Sequence, residues 1–149
     1  QINNTMEQLI EQMKIILGTN FGLYFKAHSF HWNVEGPDFA QYHGFLGDFY
    51  DSVFDQTDSI AEHIRALGSY APTSLDRMIE LSKINVSNAI PSGVAMMGEL
   101  AADNTVYMLE LRTGIALADA ADEPAVGNFL QDLLDAHQKH GWMLRSFTR

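Results

Sequence analysis

Five carboxylates follow one imidazole along a single stretch: after His43 come Asp48, Asp51, Asp55, Asp58 and Glu62, the acids stepping 3, 4, 3 and 4 residues. That step keeps side chains on one face of a helix, and carboxylate with imidazole is a donor set for hard or borderline cations. Asp58 and Glu62, at i and i+4, can grip one ion together. His31 and His43 flank the short break NVEGP, which can bring them near each other, and His28 lies one turn before His31. The chain has no cysteine, so thiolate nucleophiles, sulfur-ligated metals and disulfides are excluded, and any metal is held by His, Asp or Glu.

These groups do not close a site within one chain. Di-iron carboxylate bundles take a Glu from each of two helices and Glu-x-x-His from each of two others. No Glu-x-x-His occurs here: Glu99 and Glu110 in one segment, and Asp132, Asp135, His137 and His140 in another, never form that pair. On one continuous helix the fifteen residues from His43 to Asp58 amount to about 22 Å of rise, too far for one ion. Two subunits packed antiparallel about a two-fold axis remove that distance, because the His end of each meets the acid end of the other.

The elements that must position these residues are helical. Apolar residues recur from Leu9 through Met13, Ile16, Leu17, Phe21 and Phe25 to Trp32, with Thr5 and Gln8 suited to a capping box. Asp38 can cap a second long helix, whose stripe of Leu46, Phe49, Val53, Ile60, Ile64 and Leu67 runs unbroken to Gly68. Residues 69–91 hold turn residues around LDRMIEL and read as a crossover with one short helix. A third long helix starts near Ser92, Ala120 to Glu123 make a turn, and Pro124 opens a fourth. No segment alternates like a strand. The pattern predicts an all-α, ferritin-like four-helix bundle with a short extra helix in the crossover between helices two and three.

The 149 residues fit one domain, 1–149, and 46% of them are apolar. No run approaches the roughly 20 apolar residues of a membrane span, and no signal-like segment opens the chain, which points to a cytoplasmic protein. The start at Gln1 rather than Met leaves room for a short tail upstream. Nine Lys and Arg against nineteen Asp and Glu give a net charge of −10, and the basic residues do not cluster, which argues against a nucleic-acid surface.

The stretch KAHSFHWNVEGPDF, then YH, then DSIAEHIRALG closely resembles the signature of Dps proteins, the miniferritins. The ending AHQKHGWMLRSF resembles their last helix, so the resemblance covers nearly the whole chain. It implies a cage of twelve subunits whose ferroxidase centres lie between two-fold partners, oxidise Fe(II), preferentially with hydrogen peroxide, and store ferric mineral inside. By the same resemblance the iron ligands are His31 and His43 of one subunit with Asp58 and Glu62 of the other, and Trp32 lies next to the centre.

One position departs from that pattern. The family usually carries an acid four residues after the second histidine, where this chain has Gly47. Asp48 is turned about 100° away from it and Asp51 lies a further turn along. The second iron subsite, His43 with bridging Glu62, is therefore expected to be weak or completed by water.

Read without the resemblance, the acid stripe is a solvated helix face, His31 a hydrogen-bonded helix-end histidine, and Asp58 with Glu62 a surface pair. Their joint match to one motif singles them out. Asp48, Asp51 and Asp55 would then face a cavity and are candidates for nucleating iron. His28 reads as a supporting group, His137 and His140 as packing or surface groups, and the methionines as core filler. Asp119, Asp122 and Glu123 suit a helix start, or loosely the family's pore acids. Two rivals stand beside the ferroxidase. One is a DNA-compacting stress protein, the family's second activity, for which neither QINNTMEQ nor SFTR supplies a lysine-rich tail. The other is an iron-binding cage whose centre is degenerate because of Gly47.

Overall fold

The computed structural model describes residues 4–149, and no strand occurs among them. Helix α1 spans Asn4–Asn33, α2 Phe39–Phe54, α3 Thr57–Ala66, α4 Leu75–Leu81, α5 Gly93–Ala120 and α6 Pro124–Ser146. Four arms make the bundle: α1, α2 continued by α3, α5 and α6. The short α4 lies in the crossover, as the turn residues around LDRMIEL predict, and packs on α1. None of these helices is long and apolar enough to cross a membrane.

The apolar stripes explain the packing. Leu9, Met13, Ile16 and Leu23 of α1 meet Leu46 and Val53 of α2, Ile60 and Ile64 of α3, Met96 and Leu111 of α5, and Leu130 and Leu144 of α6 in one core. Full burial of a side chain this size stabilises by roughly 1.5–3 kcal/mol. Gly18 sets how closely α4 approaches. A Cβ there would lie 2.7 Å from Leu81 Cβ and 2.8 Å from the Met78 carbonyl, so only glycine lets α4 rest on α1. Lys26 ties α1 to α5, lying 2.8 Å from Asp103 and 3.3 Å from Glu99, and it donates to the Asn85 carbonyl of the crossover at 2.9 Å.

Helix ends follow local chemistry, with two exceptions. Ser74 and Ser92 cap α4 and α5 by accepting the N–H of Arg77 and Ala95. Pro124 opens α6, and Gly68, with φ of 93°, follows α3 in the left-handed conformation that favours glycine. Asp38 occupies the cap position of α2, but its side chain makes no capping bond. Helix α1 already runs from Asn4, which places Thr5 inside it rather than at its cap.

The expected unbroken second helix is two helices. Asp55 and Gln56 separate α2 from α3. At the break the Gln56 N–H closes onto the Val53 carbonyl at 3.2 Å, only three residues back. The Asn20 side-chain amide of α1 donates to that same carbonyl at 3.0 Å and to Thr57 Oγ1 at 3.3 Å. A side chain inserted into the i→i−4 ladder interrupts a helix. The apolar stripe does not register the interruption, because Val53 before it and Ile60 after it are both fully buried.

Candidate metal centre

The reversal between α1 and α2 lays His31 against His43, with ring centroids 3.7 Å apart and planes within 15°. His31 belongs to the last turn of α1, where carbonyls have no partner inside the helix. The His43 Nδ1–H donates to the His31 carbonyl at 2.8 Å, and the His31 Nδ1–H donates to the His43 carbonyl at 2.7 Å. A carbonyl can only accept, so each ring holds a proton on Nδ1, and Nε2 is the nitrogen left over for a metal. Metal-ligating histidines are oriented in this way, with the second nitrogen anchored on a carbonyl or carboxylate.

The same contact accounts for Gly47. A Cβ at this position would sit 3.2 Å from His31 Cε1 and 3.4 Å from its Nδ1, tight enough to push on the ring. Bare backbone lets the His31 imidazole lie over α2 and reach the carbonyl of His43. The carboxylate expected at this position from the resemblance is absent where His31 is seated.

Asp58 and Glu62 stand exposed on α3, beyond the break. No group of three or more His, Asp and Glu that could hold a metal forms among the described residues. The structure thus brings His31 to His43 and leaves the acid pair to another helix. One chain presents the histidine pair and the acid pair on separate helices. Asp48, Asp51 and Asp55 are exposed as well, with Asp55 in the break itself, so the regular acid stripe ends there.

Aromatic rings surround the histidine half-site. His28 stacks on Tyr50 at 3.8 Å and 9° and lies 4.3 Å from Trp32; its Nδ1 is bonded to the Tyr24 hydroxyl at 2.9 Å. Partial burial, and then the charge of His31, lower the pKa of His28 below the usual imidazole value. Trp32, Phe25 and Phe54 remain 57%, 50% and 48% exposed, with the Phe25 and Trp32 ring centroids 6.0 Å apart.

A second polar cluster, missed by the sequence reading, crosses the middle of the bundle. Tyr107 Oη–H donates to Asn20 Oδ1 at 2.9 Å, and Gln56 Nε2 donates to the same oxygen at 2.8 Å and to His137 Nε2 at 3.1 Å. Because Nε2 accepts, His137 carries its proton on Nδ1 and donates to Asn104 Oδ1 at 2.7 Å. Asn104 closes the circuit by donating to the His137 carbonyl at 2.8 Å. Burial, reinforced by His140, pulls the His137 pKa down to about 3, so the ring stays neutral. Both its nitrogens are spent inside the protein. Asn20, Gln56, Asn104 and His137 carried a signal in the sequence only as polar residues on otherwise apolar helix faces.

Residues 9–149 match the ferritin-like domain, and the chain belongs to that family. The DNA protection during starvation protein of Brevibacillus brevis is 30% identical over 125 residues, covering 84% of each chain. DNA protection during starvation protein 2 of Bacillus anthracis is 28% identical over 141 residues, 95% of this chain and 97% of that one. The crystal structure of a Dps protein from Bacillus brevis superposes with a TM-score of 0.96 over 100% of both chains at 26% identity. Within the ferritin-like family the chain is therefore a Dps-type protein.

Proposed function

We propose that two chains join their half-sites about a two-fold axis, His31 and His43 of one with Asp58 and Glu62 of the other. Each site oxidises Fe(II) with hydrogen peroxide, or with dioxygen, within a dodecameric cage that stores the ferric product. The observation that carries this reading is the reciprocal His31–His43 lock, which spends both Nδ1 atoms and leaves each Nε2 without a hydrogen-bond partner among the described residues. The exposed aromatic band beside that lock suits burial against a second subunit.

Two imidazoles and two carboxylates form a donor set that accepts Fe(II) and favours Fe(III), since hard carboxylate oxygens stabilise the higher charge. Two Fe(II) each give one electron to one hydrogen peroxide. The O–O bond breaks, and both oxygens leave as hydroxide that the ferric mineral takes up. Both electrons go to one peroxide, so no hydroxyl radical is released, and removing iron and peroxide together protects DNA chemically. The net charge of −10 draws Fe(II) toward the shell. Trp32, beside His28, is the aromatic neighbour of the centre.

Stopped-flow absorbance of ferric formation, after mixing the protein with Fe(II) and hydrogen peroxide, tests the reading against His31→Ala. Fast oxidation saturating near two irons per site and lost in the variant is expected. Equal, slow rates in both proteins would overturn it. Gly47 favours a second reading, an iron-binding cage with one weakened subsite. Saturation near one iron per site with slow oxidation would identify that case.

A further inference from the structure

The break between α2 and α3 lies between the two half-sites, and a buried network decides its shape. In an unbroken helix, periodicity alone would fix the angle between His43 and Asp58. Here α2, which carries His43, and α3, which carries Asp58 and Glu62, are separate elements. The Asn20 amide holds both sides of the gap, donating to the Val53 carbonyl that ends α2 and to the hydroxyl of Thr57 that begins α3. Gln56, inside the gap, turns its side chain inward onto Asn20 and His137. Tyr107 of α5 completes the acceptor positions on Asn20, so all four arms of the bundle converge on this one interruption.

Resting on the ferroxidase reading above, we propose that Asn20, Gln56 and Thr57 are positioning residues for the acid half-site. By holding the break, they set the direction in which α3 presents Asp58 and Glu62 to the histidine pair of the other subunit. None of the three touches iron. Thr57 is the immediate neighbour of Asp58, so its anchoring on Asn20 fixes the first turn of α3 and the face on which Asp58 and Glu62 stand. A network serving the core alone would have no need to reach across the gap to that hydroxyl.

The test is anaerobic calorimetric titration of the assembled protein with Fe(II), alongside thermal unfolding and size measurement, for wild type, Gln56→Leu, Thr57→Val, Thr57→Ser and His31→Ala. Gln56→Leu is expected to weaken Fe(II) binding about tenfold and Thr57→Val about threefold, both with the assembly intact, because anchoring bonds act on ligand geometry much as outer-shell partners do. Thr57→Ser keeps the hydroxyl and is expected to bind as wild type does. Lower unfolding temperatures with Fe(II) affinity unchanged within twofold would overturn the proposal, leaving the network a purely structural feature. If Gln56→Leu does not fold, the comparison of Thr57→Val with Thr57→Ser decides. Wild type binding no better than His31→Ala would instead sink the ferroxidase reading, and the positioning role with it.

Discussion

The α1–α2 junction and the middle of the bundle both anchor imidazoles through Nδ1, and they leave opposite remainders. At the junction His31 and His43 each spend Nδ1 on the other's carbonyl and, among the described residues, keep Nε2 unbonded at a partly exposed surface. In the core, His137 spends Nδ1 on Asn104 and Nε2 on Gln56, with no exposure at all. The difference teaches that a histidine's second nitrogen, rather than its burial or its neighbours in sequence, separates a ring that can still accept a bond from one whose bonds are all spent inside the fold. His137 is held by four-helix packing that leaves it nothing to offer. The junction pair is held by two backbone carbonyls, which cost it nothing at Nε2.

Breaking the core member should cost the most. His137→Ala empties a fully buried site and leaves Asn104 and Gln56 without their partner, so denaturant unfolding should show a loss of about 3 kcal/mol. Iron binding at the surface pair would change far less than stability. The mirror experiment is His43→Ala, expected to leave stability within about 1 kcal/mol while slowing ferric formation about 100-fold, because one ligand and the lock on His31 go together. Equal effects of the two variants on both readouts would erase the distinction between the regions.

Proton binding sharpens the comparison at intermediate cost. The His137 pKa is lowered from 6.5 to about 3 in the native protein. Above pH 6.5 neither state binds the proton. As pH falls below that value the unfolded chain takes one up and the native state does not, so stability is lost progressively down to about pH 3. Between pH 7 and pH 5 the loss should be about 2 kcal/mol, read from denaturation curves, and it should vanish in His137→Ala. The smallest effect is at Gly47. Alanine there should add up to about 1 kcal/mol of helix preference, yet its Cβ pushes on the His31 ring. Fe(II) affinity should fall about threefold in a titration while stability holds or rises.

How much of this was legible beforehand follows the same division. Turn residues and Pro124 marked the crossover with α4 and the starts of α5 and α6, and apolar periodicity marked α1 and the second arm, since a stripe that must be buried writes itself every three or four residues. It could not mark the break at Asp55–Gln56. Val53 and Ile60 keep the stripe in step on either side, and the cause lies in Asn20, more than thirty residues away. For the candidate site, residue types and spacing singled out His31, His43, Asp58 and Glu62, and the structure sets the two histidines against each other while the two acids stand on α3. Gly47 read only as a missing acid, because the ring that occupies its place arrives from another helix.

The sequence by itself determined an all-helical bundle, a metal chemistry limited to oxygen and imidazole, and the separation of histidines from acids along the chain. Those are consequences of composition and period, which are local. Only the tertiary structure decided which nitrogen each histidine keeps, how closely the His31 ring approaches position 47, and where the second arm breaks. Each of those depends on a hydrogen bond or a contact between helices, and hydrogen-bond partners distant in sequence leave no periodic trace in it.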